Sequence, residues 1–185
     1  MARMTALPTL VVVSGYAGSG KTTLAHALAK AIGCPAICRD EIKEGMMHAS
    51  GGQFLPAPGD ELTMRTLPVF FGVLECLLRA GVTTVAEAAF QDMVWRQRLA
   101  PLHELAHIRI VHAVVRQDIA YSRVVNRRVQ PNRRAHVETG DAAAHAAGFA
   151  AFDRVSIDVP HLEVDTTDGY RPALAEVLAF VNRPI

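Results

Sequence analysis

The stretch LVVVSGYAGSGKTT, residues 10–23, decides the fold of this chain. Residues 10–13 are apolar and mostly β-branched, which is typical of a strand buried on both faces of a parallel sheet. A glycine-rich loop follows the strand. After the loop, apolar residues recur at helical spacing between Leu24 and Ile32, and Gly33 stands where a helix would end. The stretch therefore predicts a buried strand, a tight loop and an amphipathic helix.

The loop, residues 15–22, matches the phosphate-binding pattern Gly-x-x-x-x-Gly-Lys-Thr in full. Its glycines allow backbone N–H groups to turn towards phosphate oxygens, and the helix that follows points its positive end at the anion. Lys21 is expected to reach the β- and γ-phosphates as a catalytic residue, and Thr22 to offer its hydroxyl to Mg²⁺. We expect the following residues to bind ATP: Gly15, Ala17, Gly18, Ser19, Gly20, Lys21, Thr22 and Thr23.

Two other motifs fit less well. A dinucleotide-binding loop would use Asp40, about 20 residues on, as its acidic partner. However, Ala17 replaces the middle glycine of that motif, and Lys21 would have no role. The segment His103-Glu104-Leu105-Ala106-His107 matches a zinc-protease pattern, but Pro101 leaves little room for the long helix that this pattern needs. We interpret it as an exposed helix face.

The composition indicates one globular domain, residues 1–185, because half of the chain is apolar and its length is that of a single domain. The cysteines Cys34, Cys38 and Cys76 form no Cys-x-x-Cys pair, which favours a reducing compartment. Cys34 and Cys38 could ligate a metal, although buried apolar positions are more typical of such residues. No apolar run is long enough to span a membrane. We expect a cytoplasmic protein.

The net charge of +1 conceals a local excess. Residues 109–134 hold seven arginines and one acid, Asp118, and the rest of the chain is mildly acidic. Such a segment is typical of a site for phosphate groups, of a solvated basic face or of a nucleic-acid patch.

The pattern along the chain alternates strands with helices, which predicts an α/β fold with a doubly wound parallel sheet. A helix is expected at 41–47, with Asp40 as its N-cap. Another is expected to include 67–78, with Pro68 in its first turn or at a kink. Further helices are expected at 95–107, 118–129 and 174–181. A loop is expected at 130–140. The expected strands are 10–13, 35–39, 82–86, 108–115 and 161–165.

Taken together, several segments resemble those of small P-loop kinases, the AAA-type kinases related to polynucleotide kinase, zeta toxin and chloramphenicol phosphotransferase. The segments are the phosphate loop, Arg39-Asp40-Glu41-Ile42, Glu87-Ala88-Ala89-Phe90, the arginine-rich region and Val164-Asp165-Thr166-Thr167. The resemblance implies a three-layer fold of the nucleoside-monophosphate-kinase type. Its five-stranded sheet has the order 2-3-1-4-5, and an arginine-rich lid covers about residues 123–140.

The same resemblance implies roles on the acceptor side of the site. Asp40 corresponds to the catalytic base of these kinases, and Arg39 to a substrate ligand. Glu87 is expected to orient a magnesium-bound water or the substrate, although the family more often has Asp at this position. The alternative for Asp40 is a helix N-cap alone.

The lid arginines are expected to neutralise the charge on the transferred phosphoryl group. The first candidates for contact with the γ-phosphate are Arg127 and Arg128. The third is Arg123, which is also expected to bind the nucleotide. The other two arginines of the lid are Arg133 and Arg134. Thr167 is expected to contact the adenine base through its backbone.

The sequence as a whole favours an ATP- and Mg²⁺-dependent phosphotransferase that acts on a hydroxyl of a small molecule or nucleotide. A 5′-hydroxyl polynucleotide kinase and a regulatory ATP-binding module are the alternatives. Nucleic acid is not the favoured partner, and no membrane partner is expected. The pattern identifies neither the acceptor nor the choice between a monomer and a homodimer.

Overall fold

A central parallel sheet organises the chain in the computed structural model, which describes residues 7–50, 60–127 and 141–183. Within these residues the sheet has five strands in the order β2-β3-β1-β4-β5, as expected. The strands are β1 (Thr9–Ser14), β2 (Ala36–Cys38), β3 (Thr84–Glu87), β4 (His107–Val114) and β5 (His161–Asp165). The helices are α1 (Lys21–Ile32), α2 (Arg39–Ala49), α3 (Glu61–Arg79), α4 (Asp92–Leu99), α5 (Gln117–Arg127), α6 (Ala142–Ala150) and α7 (Leu174–Val181), with a 3₁₀ turn at Ala100–Glu104.

Strand β1 lies at the centre of the sheet and pairs in parallel with β3 and β4. Leu10 and Val12 point into a core that α3 and α4 cover, whereas Val11 and Val13 point into a core that α1 and α7 cover. All four side chains are fully buried. Burial on both faces explains why this strand is apolar at every position rather than at alternate ones.

The start of α2 differs from the prediction. The helix begins at Arg39 with Cys38 as N-cap, so Asp40 lies inside the first turn and not at the N-cap position. The reason is that β2 ends at Cys38 and the backbone turns directly into the helix. An acidic side chain in the first turn also interacts favourably with the helix dipole. The interpretation of Asp40 as a simple cap is therefore wrong.

Helix α3 also begins earlier than the apolar stripe predicted. Asp60 is its N-cap and accepts a hydrogen bond from the Thr63 N–H at 2.6 Å, so the helix starts at Glu61. Pro68 consequently lies in the helix interior and not in its first turn. A side-chain cap outside the apolar stripe decided where this helix starts.

Residues 95–107 do not form one helix. Helix α4 ends at Leu99, Pro101 lies in the 3₁₀ turn that follows, and His107 already belongs to β4. His103 and Glu104 are exposed, as expected, but they are separated from His107 by the change of element. Among the described residues, the only His, Cys, Asp or Glu group with metal-ligand spacing contains none of these three.

Helix α6 was not predicted. Its sequence, AAAHAAGFA, has no clear division into apolar and polar faces. Asp141 caps it by accepting a hydrogen bond from the Ala144 N–H at 2.9 Å, and this aspartate was the available signal. None of the described helices has both the length and the apolar character needed to cross a bilayer.

Candidate active site

The phosphate loop lies between the end of β1 and the start of α1. Gly18 and Gly20 adopt left-handed backbone conformations, with φ of 83° and 77°. A Cβ atom on Gly18 would also overlap with the backbone of Ala120 in α5, so the loop packs closely against that helix. Only glycine meets both requirements at this position.

The nucleotide ligands predicted between Gly15 and Thr23 lie on this loop or on the first turn of α1, whereas Arg123 lies in α5 and Thr167 follows β5. Among the ligands of the loop and α1, the buried residues are Gly15, Gly18, Ser19 and Lys21. The half-buried ones are Ala17, Gly20 and Thr22, and the exposed one is Thr23.

Lys21 and Thr22 both face Glu87 at the end of β3. The Lys21 Nζ lies 3.7 Å from the Glu87 Oε1, and the Thr22 hydroxyl donates to the Glu87 Oε2 at 3.1 Å. The parallel register pairs Val13 with Glu87, which places this carboxylate beside the point where the loop begins. A cation, a hydroxyl and a carboxylate thus share one buried site.

The charge of Glu87 is strongly perturbed by its position, because its side chain is only 1% exposed. Burial raises the pKa of this carboxyl group, and the negative charge of Asp40 raises it further. Lys21 and hydrogen bonds from Thr22 and Cys38 act in the opposite direction but do not cancel the effect of burial. The ionised form is therefore costly here until another positive charge is added.

Asp40 lies close to Glu87, at the start of α2. Strand β2 pairs with β3 so that Cys38 is opposite Glu87, and Asp40 follows two residues later. Its charge acts on Glu87, as described above. Arg39 donates to the Asp40 Oδ1 at 3.0 Å, so the two residues predicted to contact the substrate are paired with each other. Asp40, Glu87 and Lys21 are thus brought to one edge of the sheet.

Arg123 fastens the phosphate loop to the segment after β5. Its guanidinium donates to the Gly18 carbonyl at 3.3 Å, to the Thr166 hydroxyl at 3.1 Å and to the carbonyls of Thr166 and Thr167 at 2.7 and 3.4 Å. The Thr166 hydroxyl in turn donates to the Ser19 carbonyl at 2.7 Å. Sequence reasoning singled out Thr167 and missed Thr166, although both stood in the same short segment.

The arginine-rich stretch is divided among several roles. Arg109 lies in β4 and is only 3% exposed. Its guanidinium packs over the ring of Phe180 and donates to the backbone carbonyl of Arg183. Arg116 is paired with Asp118 at the surface. Arg127 ends α5, one turn beyond Arg123. The predicted loop 130–140 and most of the lid, including Arg128, Arg133 and Arg134, lie outside the described residues.

A cavity of about 300 Å³ opens on the β4 side of the phosphate loop. Its walls include Tyr16, Val114 and Phe149, and its polar groups include Ser19 and His112. The Ser19 Oγ and the His112 Nδ1 are buried and have no hydrogen-bond partner among the described residues. Apolar walls with a few buried polar atoms are typical of small-molecule sites.

Tyr16 connects this cavity to α6. The tyrosine ring makes edge-on contacts with His145, Phe149 and Phe152, at centroid distances of 5.1, 5.5 and 5.7 Å. Its hydroxyl lies where a Cβ on Gly148 would be. The second residue of the phosphate loop therefore holds the helix that follows the predicted lid. The loop pattern leaves this position unspecified, so no local pattern in the sequence predicts this contact.

Comparison with known proteins agrees with this arrangement. A family model described as "AAA domain" matches residues 10–152, which is more than half of the chain. No curated protein matches the sequence significantly.

Solved structures of similar fold cover nearly the whole chain. A "putative kinase" from Chloroflexus aurantiacus J-10-fl has a TM-score of 0.80 at 22% identity, over 95% of this chain and 97% of that one. A sugar kinase from Janibacter sp. HTCC2649 has a TM-score of 0.63 at 18% identity, over 96% and 95%. A gluconokinase from Sinorhizobium meliloti 1021 has a TM-score of 0.58 at 17% identity, over 96% and 93%. The strand order and the phosphate loop are thus those of the P-loop kinase fold.

Proposed function

The chain belongs to the AAA domain family and has the P-loop kinase fold, and on this basis we propose that it is an ATP-dependent phosphotransferase. It moves the γ-phosphoryl group of ATP, with Mg²⁺, to a hydroxyl group of a small molecule. The observation that carries the proposal is the buried group of Lys21, Thr22 and Glu87, with Asp40 at the same edge of the sheet.

The residues of the loop fit the magnesium ion that such a reaction uses. The Glu87 Oε1 is buried and accepts no hydrogen bond from any described residue, while the Glu87 Oε2 holds the Thr22 hydroxyl. A hydroxyl and a carboxylate are the oxygen ligands that Mg²⁺ prefers. Thr22 and Glu87 are therefore the residues that would hold the ion. When bound, it neutralises charge on the β- and γ-phosphates.

Lys21 provides the fixed positive charge for the phosphates. Its partner before nucleotide binds is Glu87, at 3.7 Å, a separation longer than a hydrogen bond. The ammonium group can therefore turn to a phosphate oxygen without breaking a close contact. Backbone N–H groups of the loop and the N-terminus of α1 add to this attraction.

Asp40 is the group that accepts the proton of the acceptor hydroxyl. It lies in the first turn of α2, at the carboxyl edge of the sheet, where doubly wound folds bind their ligands. Arg39 holds the Asp40 Oδ1 and so fixes the direction of the carboxylate. A base oriented in this way contributes roughly 10²–10⁴-fold to such a transfer.

The arginines of α5 have separate tasks in this proposal. Arg123 is a positioning residue, because it fixes the nucleotide loop against the segment that would bind adenine at Thr167. Arg127 and Arg128 provide the charge that stabilises the transferred phosphoryl group.

The charge distribution favours a small acceptor over a nucleic acid. Arg109 is buried, Arg116 is paired with Asp118, and Arg123 is engaged with the phosphate loop, so three of the seven arginines of residues 109–134 add little to an open basic surface. A polynucleotide would need several exposed cations along its path.

The experiment that tests the proposal is a transfer assay with ATP labelled in the γ-phosphate. Sugars, polyols, aminoglycosides, nucleosides and 5′-hydroxyl oligonucleotides serve as acceptors. We expect a labelled small molecule that forms only in the presence of Mg²⁺. Labelling of oligonucleotides alone would instead identify a polynucleotide kinase. ATP hydrolysis without any labelled acceptor would favour a regulatory module.

A further inference from the structure

Three potential metal ligands converge where α1, β2 and α2 meet. His26 comes from α1, Cys38 from the end of β2 and Glu41 from the first turn of α2. The His26 Nε2 lies 2.7 Å from the Glu41 Oε1 and 3.7 Å from the Cys38 Sγ. All three ligand atoms lie within 4.8 Å of one another. Three elements of secondary structure thus bring a nitrogen, a sulfur and an oxygen atom together.

The spacing is close to that of a tetrahedral zinc site. Bonds of about 2.0–2.3 Å place neighbouring ligand atoms roughly 3.3–3.6 Å apart. The distance between the Cys38 Sγ and the His26 Nε2, 3.7 Å, is near this value, and the distance between the His26 Nε2 and the Glu41 Oε1 would increase by at least about 0.6 Å. The side chains of His26 and Glu41 are 50% and 55% exposed, so both can make this adjustment.

The types of ligand select the class of metal. A thiolate, an imidazole and a carboxylate suit Zn²⁺ and related transition ions, whereas Mg²⁺ prefers oxygen atoms alone. Access is open on one side, since two of the ligands face solvent and Cys38 forms the buried base, 2% exposed. A water molecule can then complete the tetrahedron.

The surroundings of Cys38 also favour a cation. The carboxyl groups of Glu87 and Glu41 both lie beside the buried Cys38 sulfur. Two negative groups around one sulfur are complementary to a divalent cation. The alternative is that His26 and Glu41 form only an ion pair at the surface. Such a pair does not explain why a buried sulfur lies beside the imidazole.

We propose that His26, Cys38 and Glu41 form a binding site for a zinc-class divalent cation, next to the magnesium position at Thr22 and Glu87 but with its own ligands. On binding, the Cys38 sulfur loses its proton to solvent and forms a bond to the metal. The ion ties α1, which begins at Lys21, to the first turn of α2, which carries Asp40. The proposal does not depend on kinase activity.

Cobalt titration of the reduced, metal-free protein tests this site. With Mg²⁺ present in excess, we expect one Co²⁺ per chain, a sulfur-to-cobalt charge-transfer band in the near ultraviolet and visible bands of tetrahedral intensity. Zn²⁺ added afterwards should remove all of these bands. Absence of the charge-transfer band would overturn the proposal.

Variants assign the signal to its ligands. Cys38→Ser should abolish the charge-transfer band. Because Cys38 is buried, its substitution can also affect folding, and His26→Ala provides a second test at an exposed position. We expect this variant to lose at least about tenfold in affinity for Co²⁺, since even the outer partners of metal ligands have effects of that size. Cys34→Ser and Cys76→Ser are the matched controls and should keep the band. A band that survives in His26→Ala at unchanged affinity, or that disappears in either control, would contradict the assignment.

Discussion

The Nζ of Lys21 lies 3.7 Å from the Oε1 of Glu87, and both side chains are less than a tenth exposed. One residue begins α1 and the other ends β3, so the central strand pairing of the sheet determines their separation. The Glu87 carboxylate compensates the positive charge of Lys21, although burial makes the ionised form of this carboxylate unfavourable. This pair connects the fold to the proposed chemistry, and the first prediction concerns it.

Glu87→Gln should separate activity from stability. The substitution keeps the shape and removes a carboxylate whose burial is unfavourable, as the raised pKa of Glu87 indicates, but it also leaves the buried Lys21 without its negative partner. Because these two effects oppose each other, we expect the free energy of unfolding at pH 7 to fall by less than about 3 kcal/mol. Phosphoryl transfer should fall by roughly 100-fold or more, because a ligand for Mg²⁺ is lost. Urea unfolding and kcat measure the two effects.

Glu75→Gln on the exposed face of α3 is the matched control for Glu87→Gln and should change neither stability nor kcat. Full activity of Glu87→Gln would contradict the account.

Asp40→Asn should reduce kcat and leave ATP binding almost unchanged. The amide cannot accept the proton of the acceptor hydroxyl, and we expect a loss of roughly 10²–10³-fold in kcat. Steady-state kinetics with ATP and the acceptor, together with nucleotide binding by calorimetry, measure this separation. Asp158→Asn, at an exposed position, serves as control. If Asp40→Asn weakened ATP binding and left kcat intact, Asp40 would not be the base.

Arg123→Lys should weaken ATP binding more than it lowers kcat. Lysine keeps the charge but cannot form the forked contacts that the guanidinium makes with Gly18, Thr166 and Thr167. We expect the KM for ATP to rise about tenfold, the equivalent of about 1.4 kcal/mol. Arg116→Lys removes a guanidinium at the exposed start of α5 and should change neither constant. Equal effects of the two substitutions would show that the contacts of Arg123 are unimportant.

Gly148→Ala should destabilise the protein, and Tyr16→Phe should rescue it. A Cβ at position 148 overlaps with the Tyr16 hydroxyl, and overpacking of this kind costs about 1–3 kcal/mol. In the Tyr16→Phe background the hydroxyl is gone and the nearest ring atom lies 3.2 Å from the new Cβ, so the same substitution should destabilise the protein much less. Gly72→Ala in α3, which meets no atom within 4 Å, is the control and should stabilise by about 0.5–1 kcal/mol. Additive effects of the Gly148 and Tyr16 substitutions in chemical unfolding would refute the contact.

His112 makes stability depend on pH. Burial, with the charges of Arg154 and His161, lowers its pKa to about 4, from an ordinary value of 6.5. Because the unfolded chain binds this proton more readily, stability is lost as pH falls from 6.5 towards 4. Between pH 7 and pH 5 we expect His112 to account for a loss of about 2 kcal/mol. His112→Phe should reduce the measured loss by that amount, and an identical pH profile for the variant would contradict the prediction.

The sequence predicted the strand, loop and helix between Thr9 and Gly33 almost completely. The apolar strand, the glycines and the pair Lys21-Thr22 are local features, and the structure places them as the pattern predicts. Gly33 ends α1 in a left-handed conformation, as expected. The strand order was available only through resemblance to a family, because no local pattern determines which strands lie side by side.

The features that the sequence did not reveal depend on contacts between distant residues. Tyr16 meets α6 about 130 positions later in a helix without amphipathic periodicity. Arg109 was counted with the lid charge, but its partners are in the last helix and the C-terminal segment. The start of α2 at Arg39 brings Glu41 towards His26, and this convergence is a property of tertiary packing.

The most direct test of the central claim is γ-phosphoryl transfer by Lys21→Ala, compared with the unaltered chain, with labelled ATP and the acceptor that the screen identifies. The account predicts transfer that requires Mg²⁺ in the unaltered protein and none above background in the variant, with the fold retained by circular dichroism. Full transfer by a folded Lys21→Ala protein would contradict the claim that this buried site performs the reaction.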